Sequence, residues 1–172
     1  DNRYKVGQKV FHSLLDTFKT KVSDIFKDVK NAYFSNYIRY CIADLELVAP
    51  SKYHKVNMLN VYNTYIINKK VNFKHSAQMS FLKNFYEKSL KNQMGKVGQD
   101  INKALTVEPS FEAIDTSLKK DYFLKMDRIR EYVIIDNLYT LFYDEQYDPN
   151  SMLDILSEIR QKSKDNEIKA LA

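Results

Sequence analysis

Carboxylates four residues apart share a helix face, and one such pair, Asp127 and Glu131, stands among Lys125, Arg128 and Arg130. Paired acids perform general acid–base chemistry when their surroundings push their pKa values apart. The cations around this pair favour the plainer alternative, a solvated face laced with ion pairs. Asp44 and Glu46 are two apart and face away from each other on a helix, so they cannot act together. Asp136 is the more informative carboxylate. It lies in the stretch Tyr132 to Tyr143, which is apolar apart from Asp136, Asn137 and Thr140, and a charge there must be paired or hydrogen-bonded. A buried polar anchor at Asp136 is expected ahead of a general acid.

Cys41 falls four residues after Tyr37 and four before Leu45, on an apolar stripe. A thiol in that setting is a small core residue with a raised pKa, not a nucleophile. His12, His54 and His75 lie on three separate segments, none with a second His or Cys at i+3 or i+4, so neither zinc nor iron ligation is expected. Gly95 and Gly98 form a Gly-x-x-Gly, the spacing of a phosphate-clamping loop in one RNA-binding module. The strands and helices that module needs are missing around it, so a loop or helix stop is expected. No catalytic residue, cofactor or metal site is assigned.

Charge is unevenly distributed. Residues 51–103 carry 10 Lys against only Glu87 and Asp100, whereas residues 106–172 carry 9 basic and 14 acidic groups. Two segments that attract each other within one fold explain this most simply. The other reading is a binding surface for an acidic partner, for which Lys69, Lys70 and Lys74 are the candidates. Nucleic acid is disfavoured, because the segment has no Arg and most of its aromatic residues sit on helix stripes.

The elements that would position these groups read as helices. Val6, Val10, Phe11, Leu14, Leu15, Phe18, Val22, Ile25, Phe26 and Val29 step by threes and fours along one amphipathic helix of about 24 residues. A second stripe, Tyr33 to Val48, ends before Pro50, and Ser51 is expected to cap a third helix through Met58, Tyr62 and Ile66. Residues 68–76 read as a partly extended connector. Phe81, Leu82, Phe85 and Tyr86 mark a fourth helix, and short helices follow near Ile101 and after Ser110. A long helix is expected from about Tyr122 to Tyr143, its second half at the centre of a domain. Asp148-Pro149 starts another along Leu153, Leu156 and Ile159.

With 3 Gly and 3 Pro in 172 residues, turns are too few for a many-stranded sheet. The expectation is one all-α domain over 1–172, an irregular bundle of about six to eight helices of unequal length. No run approaches the roughly 20 apolar residues of a membrane span, so no insertion by this segment is expected. Asp1 is not an initiating Met, and Asp165-Asn166 caps a helix that has run only to Ala172, so a fragment of a longer chain is expected.

Several stretches carry a family likeness from Ser35 onward. They are Asn36-Tyr37-Ile38-Arg39-Tyr40 with Ala43 and Leu45-Glu46, Tyr65-Ile66-Ile67-Asn68-Lys69-Lys70-Val71, and Phe81-Leu82-Lys83-Asn84-Phe85-Tyr86. Arg130 to Tyr143, Leu153-Asp154-Ile155-Leu156, Ser163-Lys164 and the helix start at Glu167 complete the series. In this order they resemble the helical region that precedes the thioredoxin-like domain of exported bacterial thiol–disulfide reductases. The resemblance implies a periplasmic or cell-envelope setting and a C-terminal thioredoxin-like domain as partner in the parent chain. That family's Trp-Cys-x-x-Cys motif has no match here, with no Trp and one Cys, so no catalytic residue is carried over. A non-catalytic accessory domain acting in scaffolding or protein recognition is expected. The alternative is a stand-alone helical adaptor that binds an acidic partner through 51–103.

Overall fold

A computed structural model describes residues 7–49, 54–87 and 100–172, and the backbone alone at Gln8, His54 and Lys55. The protein is all-α, with no strand among the described residues. The Gly95 and Gly98 pair and the expected Ser51 cap lie outside them. Where the sequence reads as one domain, the chain forms two compact units, Asp1–Phe85 and Tyr86–Ala172.

Unit 1 contains α1 (Gln8–Phe26), α2 (Ala32–Leu47), α3 (His54–Tyr65) and nearly all of α4 (Ser76–Tyr86). Asn31 starts α2 by accepting the Phe34 amide on its side chain at 3.0 Å, satisfying one of the helix's orphan donors. Asn68, just after α3, has φ 56°, a left-handed conformation that Asn tolerates better than most residues. The core is aromatic. Phe81 meets Tyr40 at 5.7 Å, Tyr65 at 6.0 Å and Phe85 at 6.0 Å between ring centroids, a spacing at which tilted rings attract. Val61, Ile66, Val71 and Leu82 fill the space around them.

α1 departs from expectation. It runs for 19 residues, and its stripe is divided lengthwise. Leu15 is buried, Phe11 and Val22 are half-buried, and Phe26 rests edge-on against Phe34 of α2 at 5.0 Å. On the other edge Val10, Leu14, Phe18 and Ile25 are 56%, 60%, 45% and 69% exposed. Spacing reports which residues are apolar; it does not report how much of the apolar arc one neighbouring helix can cover.

Unit 2 contains α5 (100–106), α6 (Phe111–Leu118), a 3₁₀ turn (Tyr122–Leu124), α7 (Asp127–Phe142), α8 (Pro149–Lys162) and α9 (Asn166–Leu171). Ser110, Asp121, Asp148 and Asp165 each accept a backbone amide just inside the helix they precede. Pro149 follows its cap at a position where the missing N–H costs nothing. Ile114, Val133, Ile134, Leu138, Met152, Ile155, Ile159 and Ile168 are fully buried and form one apolar core from α6 to α9. The long helix expected from Tyr122 breaks into the 3₁₀ turn and α7. Its second half is not apolar all round in effect, because Tyr139 and Tyr143 stand exposed on one side.

Candidate functional site

Many ionisable groups meet around a cleft in unit 2, about 670 Å³ in volume, bordered by α6, α7, α8 and the start of α9. Arg130 lies beneath it with 1% of its side chain exposed. Its Nε donates to Asp115 Oδ1 at 2.5 Å and Nη2 to Asp127 Oδ1 at 2.5 Å. Nη1 donates to the carbonyls of Leu124 at 2.8 Å and Lys125 at 3.2 Å. One guanidinium thus ties α6 and the 3₁₀ turn to α7, which suits the rigid fork of Arg and not the point charge of Lys. Lys119 closes on the other Asp115 oxygen at 2.8 Å.

Further ties cross the same helices. Glu158 of α8 accepts the Phe111 amide at 2.6 Å and so serves the N-terminus of α6 from another element. Lys162 joins Glu158 at 2.7 Å to Glu112 at 3.0 Å. Buried Ser163 donates to Glu131 at 2.7 Å and accepts the Asp165 amide at 3.1 Å. Arg128 pairs with Asp165 and Glu167, fastening α9 to α7.

Burial works to raise the Asp115 carboxyl, but hydrogen bonds and charge from Arg130 and Lys119 outweigh it and hold the group below the ordinary carboxylate range. Burial works to lower Arg130, and Asp115 and Asp127 outweigh that, so the guanidinium is held more firmly protonated. Asp165 is likewise lowered: its burial is overcome by the Ile168 and Glu167 amides and by Arg128. Acids held ionised and bases held protonated are suited to holding helices together and poorly suited to passing protons near neutrality.

Asp136 is half-buried, not fully enclosed, and its charge adds to burial in raising the hydroxyl of Tyr132 on the same helix. The buried polar groups of α7 are Arg130 and Asn137, the latter donating to the Val133 carbonyl at 2.9 Å. Arg130 was expected on a solvated face. The spacing does reveal it, because Arg130 precedes Val133 and Ile134 by three and four residues and so shares their stripe. Asp127 and Lys125 are exposed as expected. Cys41 is half-buried, and its thiol is raised first by burial and then by Asp44.

In unit 1 the candidate lysines form a loop. Lys70 and Lys74 are exposed and Lys69 is half-exposed; none makes an ion pair among the described residues. Buried Gln78 fastens the loop from beneath: Oε1 accepts the Asn72 amide at 2.9 Å, and Nε2 donates to the Lys70 carbonyl at 3.0 Å and the Tyr40 hydroxyl at 2.8 Å. Buried His75 accepts the Gln78 amide on Nδ1 at 3.3 Å, which leaves Nε2 to donate to the Tyr33 carbonyl at 3.0 Å. Spacing along the chain shows no sign of this pair, because only the bonds to Tyr40 and Tyr33 of α2 explain why it is buried. Among the described residues no group of three or more His, Cys, Asp or Glu is placed to hold a metal ion. No described helix is long and apolar enough to cross a membrane.

Fold and site together define an all-α protein in which, among the described residues, the ionisable groups around the unit 2 cleft tie helices together and a basic loop of unit 1 faces solvent. Comparison with protein-family models, with curated proteins and with solved structures finds no match for the chain.

Proposed function

We propose that this chain is a non-catalytic helical accessory domain of an exported thioredoxin-like thiol–disulfide oxidoreductase, acting in scaffolding or protein recognition at the cell envelope. The family likeness from Ser35 onward supports the parentage and the compartment. The observation that carries the recognition role is the loop of Lys69, Lys70 and Lys74, free of ion pairs among the described residues yet braced by buried Gln78 and His75. Such a loop presents positive charge to an acidic protein on a backbone that needs no further ordering. The same loop serves equally in the second reading, a stand-alone adaptor for an acidic partner.

Two measurements test this. In an insulin-reduction assay the chain alone adds nothing to the rate with dithiothreitol; turnover by the chain would refute a non-catalytic role. Reversal of all three lysines to Glu in the full-length parent abolishes at least one of its protein interactions. An unchanged interaction set would refute the loop as the recognition face.

A further inference from the structure

The exposed edge of α1 is a second surface, on a different segment from the lysine loop. Val10, Leu14, Phe18 and Ile25 follow one another along it for about 22 Å at 1.5 Å per residue. One polar residue interrupts the ridge. Lys21, three after Phe18 and four before Ile25, is exposed and makes no ion pair among the described residues. Lys19, on the opposite side of the helix, is by contrast bound to Glu46 of α2 at 2.5 Å.

We propose that this ridge docks an amphipathic helix of a partner protein, one with apolar side chains at three- and four-residue spacing and a carboxylate placed to meet Lys21. Contiguous apolar side chains left in solvent mark interaction surfaces, and a ridge with this period fits a helix. The charge within the ridge selects the occupant. A covering partner must pair the Lys21 ammonium or leave it desolvated, and desolvation without a partner is expensive. The sequence of unit 1, with 14 basic and 6 acidic residues, also attracts an acidic approach.

A second copy of the chain fits poorly. Parallel pairing sets Lys21 against Lys21, antiparallel pairing about the middle of the ridge sets it against Leu14 of the other copy, and the excess positive charge repels itself. An anionic lipid surface also fits poorly, because exposed Asp24 and Asp28 flank Ile25 along the same edge.

The test uses the whole chain and two synthetic helical peptides of about 18 residues. They share an apolar ridge and differ only in a central Glu or Lys. By fluorescence anisotropy the Glu peptide binds about tenfold more tightly than the Lys peptide, since like charges brought together in an interface are penalised. Lys21→Glu reverses that preference, and Phe18→Ser weakens both peptides. Lys69→Glu, Lys70→Glu and Lys74→Glu together leave the ratio unchanged, which separates this surface from the loop. Circular dichroism checks that each variant keeps its helices. Equal binding of the two peptides, or no reversal by Lys21→Glu, would overturn the proposal. Sedimentation equilibrium showing a dimer lost in Phe18→Ser would overturn it in favour of self-association. Phosphatidylserine-containing vesicles that bind the chain through Phe18 would overturn it in favour of a membrane.

Discussion

Arg130 donates four hydrogen bonds through three nitrogens while almost wholly withdrawn from water, so its stability rests on every acceptor staying in place. Removing one member of a buried pair costs more than the pair itself contributes, because the other charge is stranded. Arg130→Ala is therefore expected to lower the stability of unit 2 by about 3–5 kcal/mol, measured by urea denaturation. Arg130→Met combined with Asp115→Leu should recover much of that loss. The pH dependence follows from Asp115, whose folded carboxyl titrates below its unfolded value. Its contribution is complete above the unfolded value of about 3.9 and is lost as pH falls through the lower folded value. Asp115→Asn should accordingly show a smaller drop in urea midpoint between pH 7 and pH 3 than the unaltered chain; an equal drop would place the acid sensitivity elsewhere.

Helices in this chain were legible where a local rule sets their ends. Ser110, Asp148 with Pro149, and Asp165 are found at the helix starts their types announce. What local rules leave open is the neighbour. The stripe of α1 is apolar around a wide arc, yet only one edge is packed; the polar half of α7 looks solvated, yet Arg130 is drawn inward by Asp115, 15 residues earlier. α9 is held by groups a local rule does not show: buried Ile168 and the Arg128 pairs with Asp165 and Glu167 join the Asp165 cap in fastening it. Asp165→Ala removes both the cap and one ion pair, at a local cost of about 1–2 kcal/mol. Hydrogen exchange should quicken at residues 166–171 and leave the middle of α7 protected. Unchanged exchange there would show that Ile168 suffices.

For the molecule as a whole, scarcity of Gly and Pro made the all-α fold readable, but the division into two units was hidden. The boundary falls within α4, between Phe85 and Tyr86, where the apolar pattern runs on unbroken and no breaker marks it. Each unit has its own core: aromatic around Phe81 in the first, largely aliphatic around Val133 and Ile155 in the second. Residues with separate cores can open separately. Phe81→Ala should speed hydrogen exchange throughout α2 and α4, whereas Arg130→Ala should do so through α6 and α7. If either substitution speeds both sets equally, the two cores unfold as one.

Gln78 holds the Lys70 carbonyl with one end of its amide and the Asn72 amide with the other. The intervening backbone cannot slip by a residue without forfeiting both bonds. The backbone that carries Lys70 is consequently anchored by one buried side chain, while its ammonium still ranges on a flexible four-carbon stem. Anionic groups at differing separations are thus met by movement of the stem above a backbone that stays where it is.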